Sequence, residues 1–260
     1  MGIAKGSNLI SDVKLGTTQV DKIYKGTDVV WQKATPAVRA LKFTSAGVQT
    51  LGINQSSLGN LTPSFEYSND GQTWNTWDIT TTLAFGNGTD LYIRGMNTVL
   101  SIGTYYTGFV FSQPDNKVTC TGNVMHLFDY TQDLTAFPAD PDSHGIAYLF
   151  VNCTALAVPP SLPAMTLIPY CYESTFQSCT SLTAIPALPA TTLATQCYRT
   201  MFIYSTSVKM STTQSEEYPN EFVFGANPNG NTYRMFRSTG GTYTGAPDQT
   251  TYYTANTIIS

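Results

Sequence analysis

The sequence predicts a mainly β protein with a short α/β solenoid in its middle, and three observations lead to this fold class. Short β-prone stretches alternate with Gly, Asn and Asp turn residues toward both ends of the chain. An internal repeat occupies the middle. Charged residues make up only 12% of the chain, against about 25% in a typical soluble protein. The predicted order is an N-terminal β-module, a β-sandwich, a repeat array and a β-rich C-terminal cap.

The N-terminal module covers residues 1–33 and is too small to form a core of its own. Its apolar residues fall into three short patches separated by Gly-Thr pairs, which we interpret as three strands. A unit of this size cannot bury enough apolar surface to fold alone. We therefore predict that the patches dock on the rest of the chain or on another subunit. The predicted assembly residues are Val13, Leu15, Ile23, Tyr24, Val29 and Trp31.

The β-sandwich is predicted over residues 38–122, where short β-prone segments are separated by turn residues. The clearest turn is the segment YSNDGQTW, which places Asp70-Gly71 between two aromatic-rich stretches. An Asp-Gly pair between such stretches is a strong signal of a β-hairpin.

The repeat array covers residues 123–210, and two full copies align without a gap, with Phe150 in register with Phe176. Each copy contains the pattern Phe-x-x-Cys-x-x-Leu, and a second Cys follows later in the copy. A truncated copy around Phe202 and a degenerate copy around Phe128 flank them. A period in the twenties with this pattern is typical of a leucine-rich-type solenoid, in which each repeat buries its apolar face against its neighbours. The predicted structural repeat residues are Phe150, Cys153, Leu156, Cys171, Phe176, Cys179, Leu182 and Cys197.

Within one repeat the sequence predicts both a helix and a strand. Apolar residues at helical spacing in TLATQCYRTMF predict a short helix over residues 192–202, and SLTAIP predicts a strand over residues 181–186. The cysteines share repeat positions, which favours a ladder of small buried thiols over disulfides or metal ligands.

The remaining residues, 211–260, are rich in Asn, Gly, Thr and Tyr and predict a β-rich cap with a terminal arm. Aromatic residues in strands are more often core residues than binding platforms. If a glycan is bound, the candidate platforms are the rings that turns place near loop tips. These predicted ligand-binding residues are Trp74, Trp77, Tyr233 and Tyr243.

Several functional classes are disfavoured by composition. The formal charge is −4 and no Lys/Arg cluster is present, so we expect no nucleic-acid partner. No apolar run approaches the length of a membrane span, and no export signal is recognisable at the N-terminus, so we expect no membrane insertion. The two histidines, His126 and His144, lie in no catalytic motif, and we predict no metal site, no cofactor and no enzymatic activity. A glycosidase that uses two carboxylates stays as the least favoured alternative, because carboxylate spacing cannot be read from sequence.

Three segments resemble known proteins. The phrase FxxCTxLxxxPxLPAxTL, with the CY and MF pairs that follow it, resembles the BspA-like leucine-rich repeats of gut Bacteroidetes and of their phages. FEYSNDGQTWNTW followed by LYIRGMN resembles the domain that commonly precedes such repeats. ISDVKLGTTQVDKIYKGTDVVWQK is similar to a short N-terminal module on virion proteins of crAss-like and related gut phages.

The resemblance implies a non-enzymatic virion structural protein, namely a tail fibre, a head fibre or a capsid decoration component. It would assemble in the host cytoplasm, attach to other virion proteins through the N-terminal module and present a host-attachment surface. The implied partners are other virion proteins, further copies of the chain, with a trimer by analogy to virion fibres, and a surface glycan or protein of the host. The alternative is an adhesin on a bacterial cell surface.

Overall fold

The computed structural model describes residues 13–15, 18–20, 22–25, 27–32, 38–183, 185–208, 231–232 and 235–236. The chain divides into two compact units, Met1–Val38 and Arg39–Ser260. The described part of the molecule is mainly β, with several separate sheets. Its only regular helices are two 3₁₀ segments, Gln55–Ser57 and Val124–Leu127.

The first unit contains two antiparallel hairpins. Strand β1 pairs with β2, and β3 pairs with β4. The three predicted strands are present, but β2 was missed because its sequence, TQV, carries only one apolar residue. The bounds are β1 Val13–Leu15, β2 Thr18–Val20, β3 Lys22–Lys25 and β4 Asp28–Gln32.

The second unit begins with ten short strands. They are β5 Leu41–Ser45, β6 Gln49–Ile53, β7 Phe65–Ser68, β8 Asn75–Thr76, β9 Leu83–Phe85, β10 Leu91–Gly95, β11 Ser101–Ile102, β12 Tyr105–Tyr106, β13 Phe109–Phe111 and β14 Val118–Thr121. A further strand, β15, covers Leu156–Val158. The larger sheet has the order β15-β14-β5-β10-β7-β8, the smaller one has the order β13-β6-β9, and β11 and β12 form a separate hairpin.

The larger and smaller sheets share an aromatic core. In β5 and β10 every second side chain is buried, so that Phe43 points inward while Lys42 lies on the outer side. The ring of Phe43 contacts Phe109 of β13 and Phe85 of β9, at centroid distances of 5.9 Å and 6.2 Å. These contacts connect the inner faces of the two sheets.

Many of the described residues from 144 to 208 form runs of tight turns, which β15 and extended stretches interrupt, and none of them forms a helix. In the turns around Phe176, backbone N–H groups alternate between two kinds of acceptor. The N–H of Phe176 donates to the carbonyl of Met201, which belongs to the next copy of the repeat, whereas the N–H of Gln177 donates to Ser174 in its own turn. The same alternation occurs around Phe150, so successive turn segments are joined edge to edge by backbone hydrogen bonds.

The helix predicted over residues 192–202 is therefore wrong. Every fourth residue of the turn segments has a positive φ, for example Gln196 and Thr200, both with φ of 51°. This left-handed backbone ends a right-handed helix. The residues with positive φ recur every four residues, which is close to the helical period of 3.6 residues, so the apolar spacing in the sequence did not distinguish the two structures.

The strand predicted over residues 181–186 is absent from the described residues of that range. The equivalent residues of the preceding copy do form a strand, β15, which pairs in parallel with β14. The two copies differ in what lies beside them, because β15 lies beside the edge strand of a sheet. The N–H of Thr183 donates to the carbonyl of Ala157 at 3.2 Å, and its hydroxyl donates to the same carbonyl at 3.4 Å.

Equivalent residues of successive turn segments stack in columns. The rings of Phe150 and Phe176 lie 5.5 Å apart at an angle of 12°, and those of Phe176 and Phe202 lie 5.5 Å apart at 11°. Phe236 continues this phenylalanine column at 5.1 Å from Phe202. At the other end Phe109 of β13 contacts Phe150 edge-on at 5.5 Å. The aromatic core of the sheets thus continues into the column.

The cap predicted over residues 211–260 lies almost entirely outside the described residues. Its described residues are joined to the preceding turns, because the N–H groups of Tyr198 and Phe202 donate to the carbonyls of Asn231 and Met235. No helix in the described part of the chain is long and apolar enough to cross a membrane.

Candidate binding surface

The six predicted assembly residues lie in strands of the first unit. Val13 and Leu15 lie in β1, Ile23 and Tyr24 in β3, and Val29 and Trp31 in β4. On the backbone Ile23 is opposite Trp31, and Tyr24 is opposite Val29. The structure thus brings four of the six together in one hairpin.

The turn at Asp70-Gly71 connects β7 and β8, as the sequence predicts. The carboxylate of Asp70 accepts hydrogen bonds from the N–H groups of Thr73 and Gln72, at 2.7 Å and 2.8 Å. These bonds hold the pKa of Asp70 well below its ordinary value, with the bond to Thr73 contributing most. Gly71 has a φ of 72°, a backbone conformation that glycine adopts readily. The result is a closed turn directly before Trp74.

Trp74 is half-buried and one face of its ring is occupied. The guanidinium of Arg94 lies 3.7 Å from the centroid of Trp74 and 3.9 Å from that of Tyr130. The Nε atom of Arg94 also bonds Glu66 Oε2 at 2.7 Å. The Arg94 cation thus contacts two aromatic rings and is paired with a carboxylate, so its charge is already balanced within the protein. It holds the Trp74 ring in place and covers one of its two faces.

Trp77 is a core residue and not a ligand platform. Its side chain is only 4% exposed, and its ring lies 6.0 Å from that of Phe65. The indole N–H donates to the carbonyl of Thr81 at 3.2 Å. This agrees with the preferred interpretation of strand aromatics and removes Trp77 from the ligand candidates. The other two candidates, Tyr233 and Tyr243, lie outside the described residues.

All eight structural repeat residues are buried, and all five cysteines are free thiols. Two of these thiols are hydrogen-bond donors: Cys179 Sγ donates to the carbonyl of Phe150 at 3.0 Å, and Cys153 Sγ donates to that of Phe109 at 3.1 Å. In the next segment the hydroxyl of Ser205 takes the place of the thiol and donates to the carbonyl of Phe176 at 2.6 Å. Burial raises the thiol pKa values of this column well above ordinary, so the thiols stay protonated and able to donate.

The sequence reasoning missed a group of aromatic side chains that are carried by the β11–β12 hairpin and the adjoining turns. We call it the tyrosine face and define it by Tyr105, Tyr106, His144, Tyr148 and Tyr170. The rings of Tyr106 and Tyr148 stack at 4.8 Å, and those of His144 and Tyr170 stack at 4.7 Å. These four are half-buried, and Tyr105, on the β11–β12 hairpin, is 50% exposed.

A buried carboxylate lies beneath this face. Glu173 is only 7% exposed, and its Oε1 atom lies 3.3 Å from Nη1 of Arg199, a side chain that is 41% exposed. Burial, together with the neighbouring Glu173 charge, raises the pKa of Tyr148 to about 12. Burial also lowers the pKa of His144, which Glu173 opposes. Glu173 is therefore within electrostatic reach of both aromatic stacks, and its charge is balanced by Arg199.

One sequence feature could have indicated this face. Some positions are equivalent in the aligned copies of the repeat but carry different residue types. His144, Tyr170 and Gln196 occupy one such position, and Tyr148 and Ser174 occupy another. Interior positions must repeat because they stack, whereas outer positions are free to differ. The aromatic residues at outer positions were not compared with each other in the sequence.

The remaining histidine, His126, is buried, and its Nε2 atom lies 2.8 Å from Asp133 Oδ1. Asp133 also pairs with Arg39, the first residue of the second unit, at 3.2 Å. Within the described ranges, no group of three or more His, Cys, Asp and Glu side chains is arranged to hold a metal ion.

Comparisons with protein-family models, with curated proteins and with solved structures found no match for this chain.

Proposed function

We propose that this chain is a non-enzymatic structural protein of a phage virion, as a fibre, tail or head-decoration component. The observation that carries the proposal is the division into a small N-terminal unit and a large second unit. The described residues of the small unit form two hairpins, and a two-stranded hairpin is marginally stable by itself in water. A covering partner surface, supplied by another virion protein or another copy of the chain, would stabilise it. The resemblance of this segment to virion modules supports the same assignment.

We also propose that residues 123–208 form a short leucine-rich-type solenoid built from turns and without α-helices. The inter-segment hydrogen bonds at a constant offset and the phenylalanine column support this proposal. In this arrangement each segment covers the edge of the preceding one and extends the core of the sheets. Such a continuous core would give the virion a rigid platform with few charges, suited to presenting a surface outward.

The experiment is the removal of residues 1–33 from the chain in the phage that encodes it. The deletion keeps Arg39, whose Nη1 donates to the carbonyl of Thr131 at 2.7 Å, so contacts within the second unit are preserved. We expect a soluble, folded fragment that is absent from purified particles, measured by peptide mapping of intact virions. The full chain is expected in the same particles.

A matched pair of point variants tests the same proposal in the full-length chain. Val29→Asp places a charge in β4, whereas Val110→Asp places it in β13 at a side chain that is 46% exposed. We expect Val29→Asp to abolish incorporation and Val110→Asp to leave it unchanged. Normal incorporation of Val29→Asp and of the deletion would refute attachment through this unit. Detection of the chain on bacterial cells and not in particles would favour the adhesin instead.

A further inference from the structure

We propose that the tyrosine face is a binding site for neutral oligosaccharides. That the face is presented on a virion rests on the function proposed above. The class of ligand is argued from the residues of the face itself. It replaces the tryptophan turn as the expected site of glycan contact.

The first argument is the exposure and support of the rings. Tyr105 is half-exposed, and its ring lies against the backbone of Gly59, where a Cβ atom would come within 2.2 Å of Tyr105 Cδ1. One side of this ring is therefore supported by glycine. Tyr106 and Tyr148 support each other by stacking, as do His144 and Tyr170. Rings held in this way lose little conformational entropy when a ligand covers them.

The second argument is the rigidity of the backbone beneath the rings. The N–H of Tyr148 donates to the carbonyl of Glu173, and the N–H of Tyr170 donates to that of Thr195. The N–H of His144 donates to Ser101 in β11 at 2.8 Å, which ties the first turn to the hairpin that carries Tyr105. The elements that carry the face are thus joined by main-chain hydrogen bonds, so the face is largely formed before a ligand binds.

The third argument is charge. Glu173 and Arg199 neutralise each other, and the five residues that define the face contain no Lys, Arg, Asp or Glu. A polyanion would therefore find no excess of cations there. A ligand without charge matches this balance.

The fourth argument is the supply of hydrogen-bonding groups around the rings. Arg199 is partly exposed, and its Nη1 atom donates to Gln196 Oε1 at 3.0 Å, which leaves further guanidinium N–H groups as donors. Ser174 Oγ and Thr200 Oγ1 lie 2.7 Å apart in the neighbouring column. Aromatic faces bordered by uncharged polar groups fit the apolar faces and hydroxyl groups of sugars.

The test is native affinity electrophoresis of the full-length chain in gels that contain a neutral polysaccharide. The probes are a glucan, a mannan, a xylan and a galactan, each in a separate gel, and an acidic polyuronate serves as the charged comparison. We expect at least one neutral polysaccharide to retard the chain and the polyuronate not to do so. The test does not require virions, so its failure is distinguishable from a failure of virion incorporation.

Variants locate the site. A Tyr105→Ala, Tyr170→Ala double variant should weaken retardation about tenfold or more, which corresponds to about 1.4 kcal/mol of binding free energy. Tyr92→Ala is the matched control, because it removes a half-buried tyrosine from β10, outside the face. Trp74→Ala tests the site that the sequence suggested. Both are expected to bind like the parent chain.

Thermal unfolding of each variant separates lost binding from lost folding. Should the double variant unfold, Tyr105→Ala alone is used, since its half-exposed ring contributes least to the core. The proposal is overturned if none of the neutral polysaccharides retards the chain, if the polyuronate binds equally well, or if Trp74→Ala abolishes binding while the folded tyrosine variants retain it.

Discussion

The sheets and the stacked turns of the second unit pack the same residue, phenylalanine, in two different ways. In the sheets Phe43 meets Phe109 edge-on, at an angle of 87°. In the turns Phe150 and Phe176 are nearly parallel, at 12°. Parallel stacking follows from the repeat, because equivalent residues of successive segments have the same backbone conformation and the same side-chain direction. The sheets have no such repeat, so their rings adopt the tilted contacts common in other cores.

The largest expected effect comes from breaking the phenylalanine column at its centre. Phe176 is fully buried between Phe150 and Phe202, so Phe176→Ala removes two stacked contacts and leaves a cavity. We expect a loss of about 3–5 kcal/mol in the free energy of unfolding, measured by urea denaturation. Tyr204→Ala, at a side chain that is 47% exposed, serves as the control and should change it by less than about 0.5 kcal/mol. Equal losses in both variants would contradict a stabilising role of the column.

A second prediction sharpens the distinction between turns and helices. Gln196 has a φ of 51°, and its neighbour Thr195 does not have a positive φ. At Gln196, glycine removes the steric cost of the left-handed backbone. At Thr195, glycine only increases the backbone entropy of the unfolded chain. We expect Gln196→Gly to be more stable than Thr195→Gly by about 1–2 kcal/mol, measured by urea denaturation. A helix over residues 192–202 would instead make the two substitutions about equally costly.

The smallest expected effect concerns pH and the buried thiols. Burial raises the pKa of Cys197 to about 12, from an ordinary value of 9.0, and raises that of Cys179 as well. The thiolate forms more easily in the unfolded chain. The stability that the protonated thiols contribute is therefore complete below about pH 9 and is lost as the pH rises through the folded-state pKa.

Urea denaturation between about pH 8 and pH 11 checks this sign. We expect the free energy of unfolding to fall above about pH 9, and less steeply in Cys179→Ser, whose hydroxyl does not ionise in this range. Serine is a matched replacement, because Ser205 already donates the equivalent hydrogen bond in the next segment. An unchanged slope in Cys179→Ser would show that this thiol is not the titrating group; the buried Tyr198, whose pKa is also raised by burial, would then be replaced by Phe.

Local features of the fold were predictable where neighbouring residues decide them. The Asp70-Gly71 turn closes through the carboxylate of Asp70 and the N–H groups that directly follow it in the chain, so its sequence is sufficient. The burial of Trp77 was not predictable in the same way, because it depends on Phe65 in another strand. The tyrosine face escaped detection because it joins a hairpin near residue 105 to turns near 148 and 170.

The sequence by itself determined the period of the repeat, and with it which residues occupy equivalent positions, such as Phe150 and Phe176. Only the tertiary structure decided that the segment is built from turns and that Glu173 lies beneath the stacked rings. The physical reason is the source of the hydrogen bonds. A helix satisfies its N–H groups four residues away, whereas every second N–H here finds its acceptor in the next copy of the repeat. A local apolar pattern does not reveal a hydrogen-bond acceptor so far along the chain, because these tight turns and helical turns space their buried side chains almost identically.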